Sequence, residues 1–282
     1  MPDSIMQNEG PIRLTIFLGV LVIMALWEWL APRRDLRHGK LRRWGGNLAI
    51  VALNTLVVWL LFPILAVGTA VWAEQRGWGL LNLVALPTWL EVAVGAILLD
   101  MAIYWQHRLF HIVPLFWRMH RMHHADLDFD VTTALRFHPL EIIVSMVIKL
   151  GLVLLLGPAA LAVLIFEVLL NGTAMFNHAN ARLPLGLDRV LRLVVVTPDM
   201  HRVHHSVVVG EYNRNFGFNL PWWDRLFGSY KAQPGAGHDG MRIGLSAYGG
   251  DVCANLLWML VLPFKTLKAP EPMAEERRND EG

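Results

Sequence analysis

Cysteine and charge are what this sequence is short of. Among its 282 residues there is one cysteine, Cys253. No intrachain disulfide can form, and no thiolate-rich metal site can be assembled. Any metal here must be held by nitrogen and oxygen. Charged residues make up only 17% of the chain, against roughly 25% in soluble proteins. The formal net charge is +2, a balance that gives no support to a nucleic-acid partner. The motif HExxH is absent, so a zincin protease is unsupported. No internal repeat is visible beyond one pair of histidine triplets.

Apolar residues are plentiful, at 55%, and the mean hydropathy is +0.41. Both point to an integral membrane protein. Residues 11–30 form an apolar run broken only by Arg13, Thr15 and Glu28, long enough to cross a hydrocarbon core of roughly 30 Å. Asp3 and Glu9 precede it and no small-residue cleavage site follows it, so it reads as an uncleaved span rather than a signal peptide. Arg33, Arg34, Arg37, Lys40, Arg42 and Arg43 then crowd a short loop. The positive-inside rule makes that loop cytoplasmic and the N-terminus external.

A second span is expected over 47–72, kinked or tilted at Pro63. An outer or re-entrant connection follows over 74–87, and a third span over 88–110. Residues 115–137 are polar and cytoplasmic. Two further runs, 139–156 and 158–176, are separated by Gly157-Pro158, a strong turn signal, and read as a helical hairpin. Residues 182–230 hold no full span. Residues 252–264 are too short to cross and suit the interface or the side of the bundle. Residues 268–282 read as a disordered tail. The expected fold is an all-α integral membrane protein with about four transmembrane helices, interfacial helices and a cytosolic histidine-rich helical cap. Its parts are an N-terminal transmembrane region (1–87), a catalytic domain (88–264) and a polar tail (265–282).

The histidines are patterned. His107 and His111 stand four apart, and His120, His123 and His124 follow. A triplet of the same spacing returns at His201, His204 and His205. Positions four apart on a helix share a face, so each cluster can offer two imidazoles to one ion. Adjacent histidines diverge by about 100° around a helix, so neighbours can reach two different ions. The topology places every cluster on the face that carries the arginine-rich loop. Imidazole suits zinc, copper, iron and nickel, which means a transition metal without saying which.

Asp100 lies two turns before His107 inside an apolar span. It is a candidate to orient a ligating imidazole through its other ring nitrogen. A hydrogen-bonded or snorkelling aspartate is the plain alternative. His38 and His238 read as ordinary surface or core residues. His138, beside Arg136 and Glu141, reads as a member of a polar network with them rather than as a ligand. A non-catalytic membrane protein, transporting metal or passing electrons through haem, is the alternative function. Clusters of two and three histidines at one face, with few polar residues at mid-membrane, argue against both.

HRLFH at 107–111, HRMHH at 120–124 and HRVHH at 201–205 resemble the three histidine boxes of the fatty acid hydroxylase/sterol desaturase superfamily. DMAIYWQHR at 100–108, RFHPLE at 136–141, FNHAN at 176–180 and NRNFGFNLPWWDRLFGSY at 213–230 support the resemblance, which covers roughly residues 90–230. It implies a di-metal centre, di-iron in function, with zinc a possible occupant after purification. With O2 as co-substrate, that centre hydroxylates or desaturates a lipid such as a sterol or fatty acyl chain. It adds His178 as a ninth ligand, because the family carries a histidine between its second and third boxes. Some fatty acyl hydroxylases have a partner histidine four residues earlier, where this chain has Ala174. The resemblance also implies a separate electron-donor protein, ferredoxin-like or cytochrome b5-like, with its reductase. The expected location is a bacterial inner membrane, with the site facing the cytoplasm. Trp222, Trp223 and Phe227 are candidates to wall a substrate channel or to anchor the cap, with plain packing the alternative.

Overall fold

The computed structural model describes residues 8–266. The expected tail at 268–282 lies outside them. The described residues are helical and contain no strand, only two isolated bridges, Pro32 with Ala181 and Ser206 with Ile243. The fold is therefore all-α.

Five helical stretches among the described residues are long and apolar enough to cross a membrane, against the expected four or so. They include α1 (Glu9–Leu30), α2 (Lys40–Leu61), continued after a break by α3 (Ala66–Gln75), and α4 (Thr88–Ile112). After α5 (Pro114–His124) come the two arms of the hairpin, α6 (Pro139–Leu156) and α7 (Ala160–Asn177). Each arm has 18 residues, about 27 Å at 1.5 Å per residue, so each is long enough to count as a crossing. Pro63 does more than kink its helix. It falls in the gap between α2 and α3, where a ring without an N–H cannot continue the ladder.

The hairpin turn is set by Gly157, which caps α6 in the left-handed region at φ 60°. Gly79 packs directly against it. A Cβ added at Gly79 would lie 2.3 Å from the Cα of Gly157, so both positions require glycine. This contact seats the connection after α3 on the tip of the hairpin. The hairpin packs against α4 and α1 through Leu99, Ile103, Val163 and Phe166.

At the other end of the bundle the chain turns sharply. Pro114 is the first residue of α5, a position that tolerates proline and closes the preceding helix. The turn folds α5 back beside the end of α4. Short helices α8 (Leu185–Leu191) and α9 (Pro198–His204) complete this end. α9 starts on Thr197, whose hydroxyl accepts from the Met200 N–H, and has Pro198 in its first turn. The expected short helix near 252–264 is a broken one. A 3-10 turn (Asp251–Ala254) leads into Leu256–Val261 and a second 3-10 turn at Leu262–Phe264, and the whole segment lies against α2 and α5.

Candidate metal centre

Nine histidines from four elements meet at this end of the bundle. His107, His111, His120, His124 and His204 form one group, and His123, His178, His201 and His205 form another. Within each group the candidate ligand nitrogens all lie within 4.8 Å of one another. Helix geometry explains the division. His107 with His111, His120 with His124, and His201 with His205 are each four apart and fall together. Neighbours His123 and His124 point into different groups, as do His204 and His205. His178 is delivered by the cap of α7.

The ring protons are fixed by carbonyl oxygens, which only accept. His107 Nδ1 donates to Phe216 O at 2.7 Å, His178 Nδ1 to Ala174 O at 2.8 Å, and His204 Nδ1 to Arg214 O at 2.7 Å. His120 Nδ1 faces Glu141 Oε1 at 2.7 Å. In each neutral ring Nε2 is then a bare lone pair. Yet His107 Nε2 stands 3.1 Å from His120 Nε2, and His178 Nε2 stands 3.1 Å from His201 Nε2 and 3.2 Å from His123 Nε2. One proton can bridge one such pair but not the whole array. A transition metal about 2.0–2.1 Å from each nitrogen, as for zinc, needs ligand nitrogens separated by roughly 3 Å. His204 Nε2 and both ring nitrogens of His205 are buried without a hydrogen-bond partner. The donor set fits a pair of metal ions.

Protonation agrees with that fit. Burial drives His120 and His178 down to about 3. Burial first, then neighbouring imidazoles, hold His123, His124, His201 and His205 well below the ordinary histidine value. Neutral imidazole is the form that binds metal.

A cavity of about 690 Å³ opens against the first group. His107 and His120 are in its wall, with Ile103, Phe110, Phe137 and Phe218 beside them. The wall also carries Arg13, Lys149 and Glu167. Glu167 sits 3.0 Å from Arg13 and 2.8 Å from Lys149.

Residues 92–229 match the family model described as fatty acid hydroxylase. That stretch of the chain is a fatty acid hydroxylase domain. It is 28% identical over 265 residues to ornithine lipid hydroxylase OlsE from Rhizobium tropici, covering 88% of this chain and 74% of that one. It is 33% identical over 147 residues to human alkylglycerol monooxygenase, covering 52% of this chain and 31% of that one. Methylsterol monooxygenase 2-2 from Arabidopsis thaliana is 27% identical over 165 residues, covering 55% of this chain and 59% of that one. The chain thus spans most of the bacterial relative but a third to three fifths of the other two. No solved structure matches. The domain match and relatives named as lipid hydroxylases and monooxygenases are those of an oxidoreductase acting on a lipid.

The expected contact between Asp100 and a ligand imidazole is not among the hydrogen bonds of Asp100. Asp100 accepts from Trp223 Nε1 at 2.7 Å and Leu220 N at 3.3 Å, and neither partner is a histidine. It shares a face with His107 but lies two turns away, and a tryptophan from another element reaches it first. Trp222, Trp223 and Phe227 are absent from the cavity wall. Trp223 is buried on Asp100, Phe227 stacks on Tyr104 with ring centroids 5.4 Å apart, and Trp222 donates to Leu193 O. Indole N–H groups need acceptors, and these contacts tie residues 222–227 to α4 and to Leu193 rather than to the cavity.

The expected network splits. Arg136 donates to Met122 O, Asn47 Oδ1 and Cys253 O. His138 accepts from Leu140 N and faces Leu260 O with its other nitrogen, which occupies both ring nitrogens. Glu141 instead reaches ligand candidate His120 directly.

Other supports were not singled out from sequence. Glu28, read only as a break in an apolar run, accepts from Val131 N at 2.6 Å and Asn180 N at 2.8 Å. It thereby ties the segments that follow His124 and His178. Arg43, read only as loop charge, grips Asp126 and Asp130. Burial pushes the Asp126 carboxyl up and Arg43 more than reverses it, leaving it below its usual value. Asp224 accepts from Phe216 N and Gly217 N. Asn215, at φ 54°, donates to Met200 O and Lys231 O. Together they shape the loop whose carbonyls orient His107 and His204. Asn and Asp close to glycine within 213–230 were the available signal.

Proposed function

We propose that this protein is a membrane monooxygenase that hydroxylates a C–H bond of a lipid held beside the five-histidine group. The supporting observation is shared membership. His107 and His120 belong both to a group able to hold metal and to the wall of the 690 Å³ cavity. A reacting carbon in that cavity would lie next to the centre.

The nine histidines would hold two iron ions. Bound iron supplies the activation of O2 that attack on an unactivated C–H bond requires. The chain's own residues do the remaining work. Phe216 O, Arg214 O, Ala174 O and Glu141 keep the ring protons on Nδ1 and aim Nε2 inward. Phe110, Phe137, Ile103 and Phe218 orient an apolar chain and exclude water from the reacting end. The Arg13–Glu167–Lys149 group gives the cavity a second, ionic region suited to a polar substituent. An amphiphile therefore suits the cavity better than a plain hydrocarbon. The relatives' names mention an ornithine lipid, an alkylglycerol and a methylsterol, and all three are called hydroxylase or monooxygenase, which favours hydroxylation over desaturation. Electrons come from a separate donor protein. The basic connection after α1 orients the centre toward the cytoplasm of a bacterial inner membrane.

The test is lipid mass spectrometry of cells expressing wild type or His123→Ala, in a host that supplies an electron donor. A histidine-dependent product 16 mass units heavier is expected. A product 2 units lighter would mean desaturation. No histidine-dependent change in a panel of headgroup-bearing lipids and sterols would overturn the reading.

A further inference from the structure

A second pocket, of about 200 Å³, lies at the arginine-rich connection between α1 and α2. Arg34, Arg37 and Arg242 line it, with Tyr248, Leu127 and Val207. No carboxylate is in its wall, and none of the three arginines forms a salt bridge among the described residues. The two acids that act on Arg34 have partners of their own. Asp128 Oδ2 accepts from the backbone N–H groups of Arg37 and His38, and Asp239 pairs with Arg33. Arg34 is held in place by Met241 O at 3.0 Å and His238 O at 3.3 Å. Its basicity is lowered by burial and then by the neighbouring charge of Arg37. Asp128 and Asp239 offset part of the charge on Arg34, but no carboxylate faces the pocket that Arg34, Arg37 and Arg242 line, which leaves a local preference for an anion, and phosphate matches the planar donor forks of arginine.

The position says where that anion would come from. Trp29 and Leu30 at the end of α1 and Leu41 at the start of α2 are 74%, 73% and 90% exposed. Large apolar side chains facing outward on both sides of a basic connection suit a membrane surface at headgroup level. The pocket also backs onto the centre. Leu127 follows His124 by three residues and Val207 follows His205 by two. Val207 N donates to Arg242 O, and Gly244 N donates to His205 O.

We propose that this pocket binds the phosphate of an anionic phospholipid and braces the segments behind both histidine triplets. The assignment does not depend on the hydroxylase reaction. The experiment uses the full chain purified in detergent, with bound ligand read by native mass spectrometry and by thermal shift. The probes are dioctanoylphosphatidylglycerol, dioctanoylglycerol with the same tails and no phosphate, and inorganic phosphate. The variant is Arg37→Gln/Arg242→Gln, both residues being exposed, with Arg37→Gln alone should the pair fail to fold and Arg118→Gln as a surface control. Wild type and control should bind phosphatidylglycerol in preference to diacylglycerol, and the double variant should bind it about tenfold more weakly. Binding of inorganic phosphate that is lost in the variant would support the phosphate site with a soluble source. Equal binding of the two lipids, or binding unchanged by the double substitution, would overturn the proposal.

Discussion

The two histidine groups draw on the same residue type and share two of the three boxes, yet they are held differently. In the five-histidine group four of the five Nδ1 atoms are hydrogen-bonded, to Phe216 O, Asn213 Oδ1, Glu141 and Arg214 O. In the four-histidine group only His178 is tied this way, while Nδ1 of His123, His201 and His205 has no partner. Aromatic rings pack on both groups, and here they stand without the bonds. Phe137 stacks on His123 at 4.6 Å, and Phe129 packs on His178 at 5.4 Å and His205 at 5.0 Å. The first group borders the cavity and contains His111, the one residue of the nine that is not fully buried. The second is wholly buried. On the proposed reading, directional bonds would keep ligands aligned beside the cavity a substrate enters, and close packing would suffice where nothing passes. The first group would then be the one that meets substrate and the second the one that anchors.

The strongest way to break that assignment is to remove one ligand from each. His120→Ala and His201→Ala should each abolish lipid product, and each should lower bound iron from about two equivalents to about one by elemental analysis. Loss of both equivalents in both variants would show one inseparable site instead of two differently held ones. Below this in size comes Glu141→Gln. It keeps the shape but weakens the acceptor for His120, so metal affinity should fall 10–100-fold, as is typical for such outer partners. Chelator competition should show one weakened and one unchanged site. The counterpart Phe137→Leu breaks no hydrogen bond to a ring; it removes the stack on His123, worth about 0.5–1.5 kcal/mol, together with a longer one on His120 and part of the cavity wall. It should lower the Tm by a few degrees and leave chelator resistance nearly intact. A metal loss as large as that of Glu141→Gln would mean that packing, too, sets affinity.

Much of this difference is invisible in the sequence, and the reason is physical. Spacing on a helix places His120 with His124 and separates His123, because 3.6 residues per turn is a local rule. Apolar runs of 18 residues or more announce helices for the same reason. Neither rule says what approaches from elsewhere in the chain. Asp100 was legible as an unusual acid but not as the partner of Trp223, which lies 123 residues away. Glu28 and Arg43 looked like an interruption and a topology signal. Their role comes from partners brought together by the folded bundle. The carbonyls that fix the tautomers of His107, His178 and His204 could not be read from residue identity, since every residue has one.

The smallest expected effect concerns His111, where the two kinds of support meet. Its Nδ1 lies 3.3 Å from Asn213 Oδ1, the longest of the ring contacts in its group. Trp117 packs beside the ring with centroids 5.0 Å apart, so this ligand is held partly by a bond and partly by a face. Asn213→Ala should therefore cost less than tenfold in metal affinity, below the range for Glu141→Gln, because a weak and half-exposed hydrogen bond contributes about 0.5–1.5 kcal/mol. Trp117→Leu should have a similar effect, and the two should combine to more than either alone. The measurement is chelator competition on the single variants and the double variant. If Asn213→Ala matched Glu141→Gln, the bond would outweigh the packing even at the exposed edge. If it did nothing while Trp117→Leu removed the metal, His111 would belong by behaviour with the packed group, and the boundary between the two groups would fall inside the first histidine box.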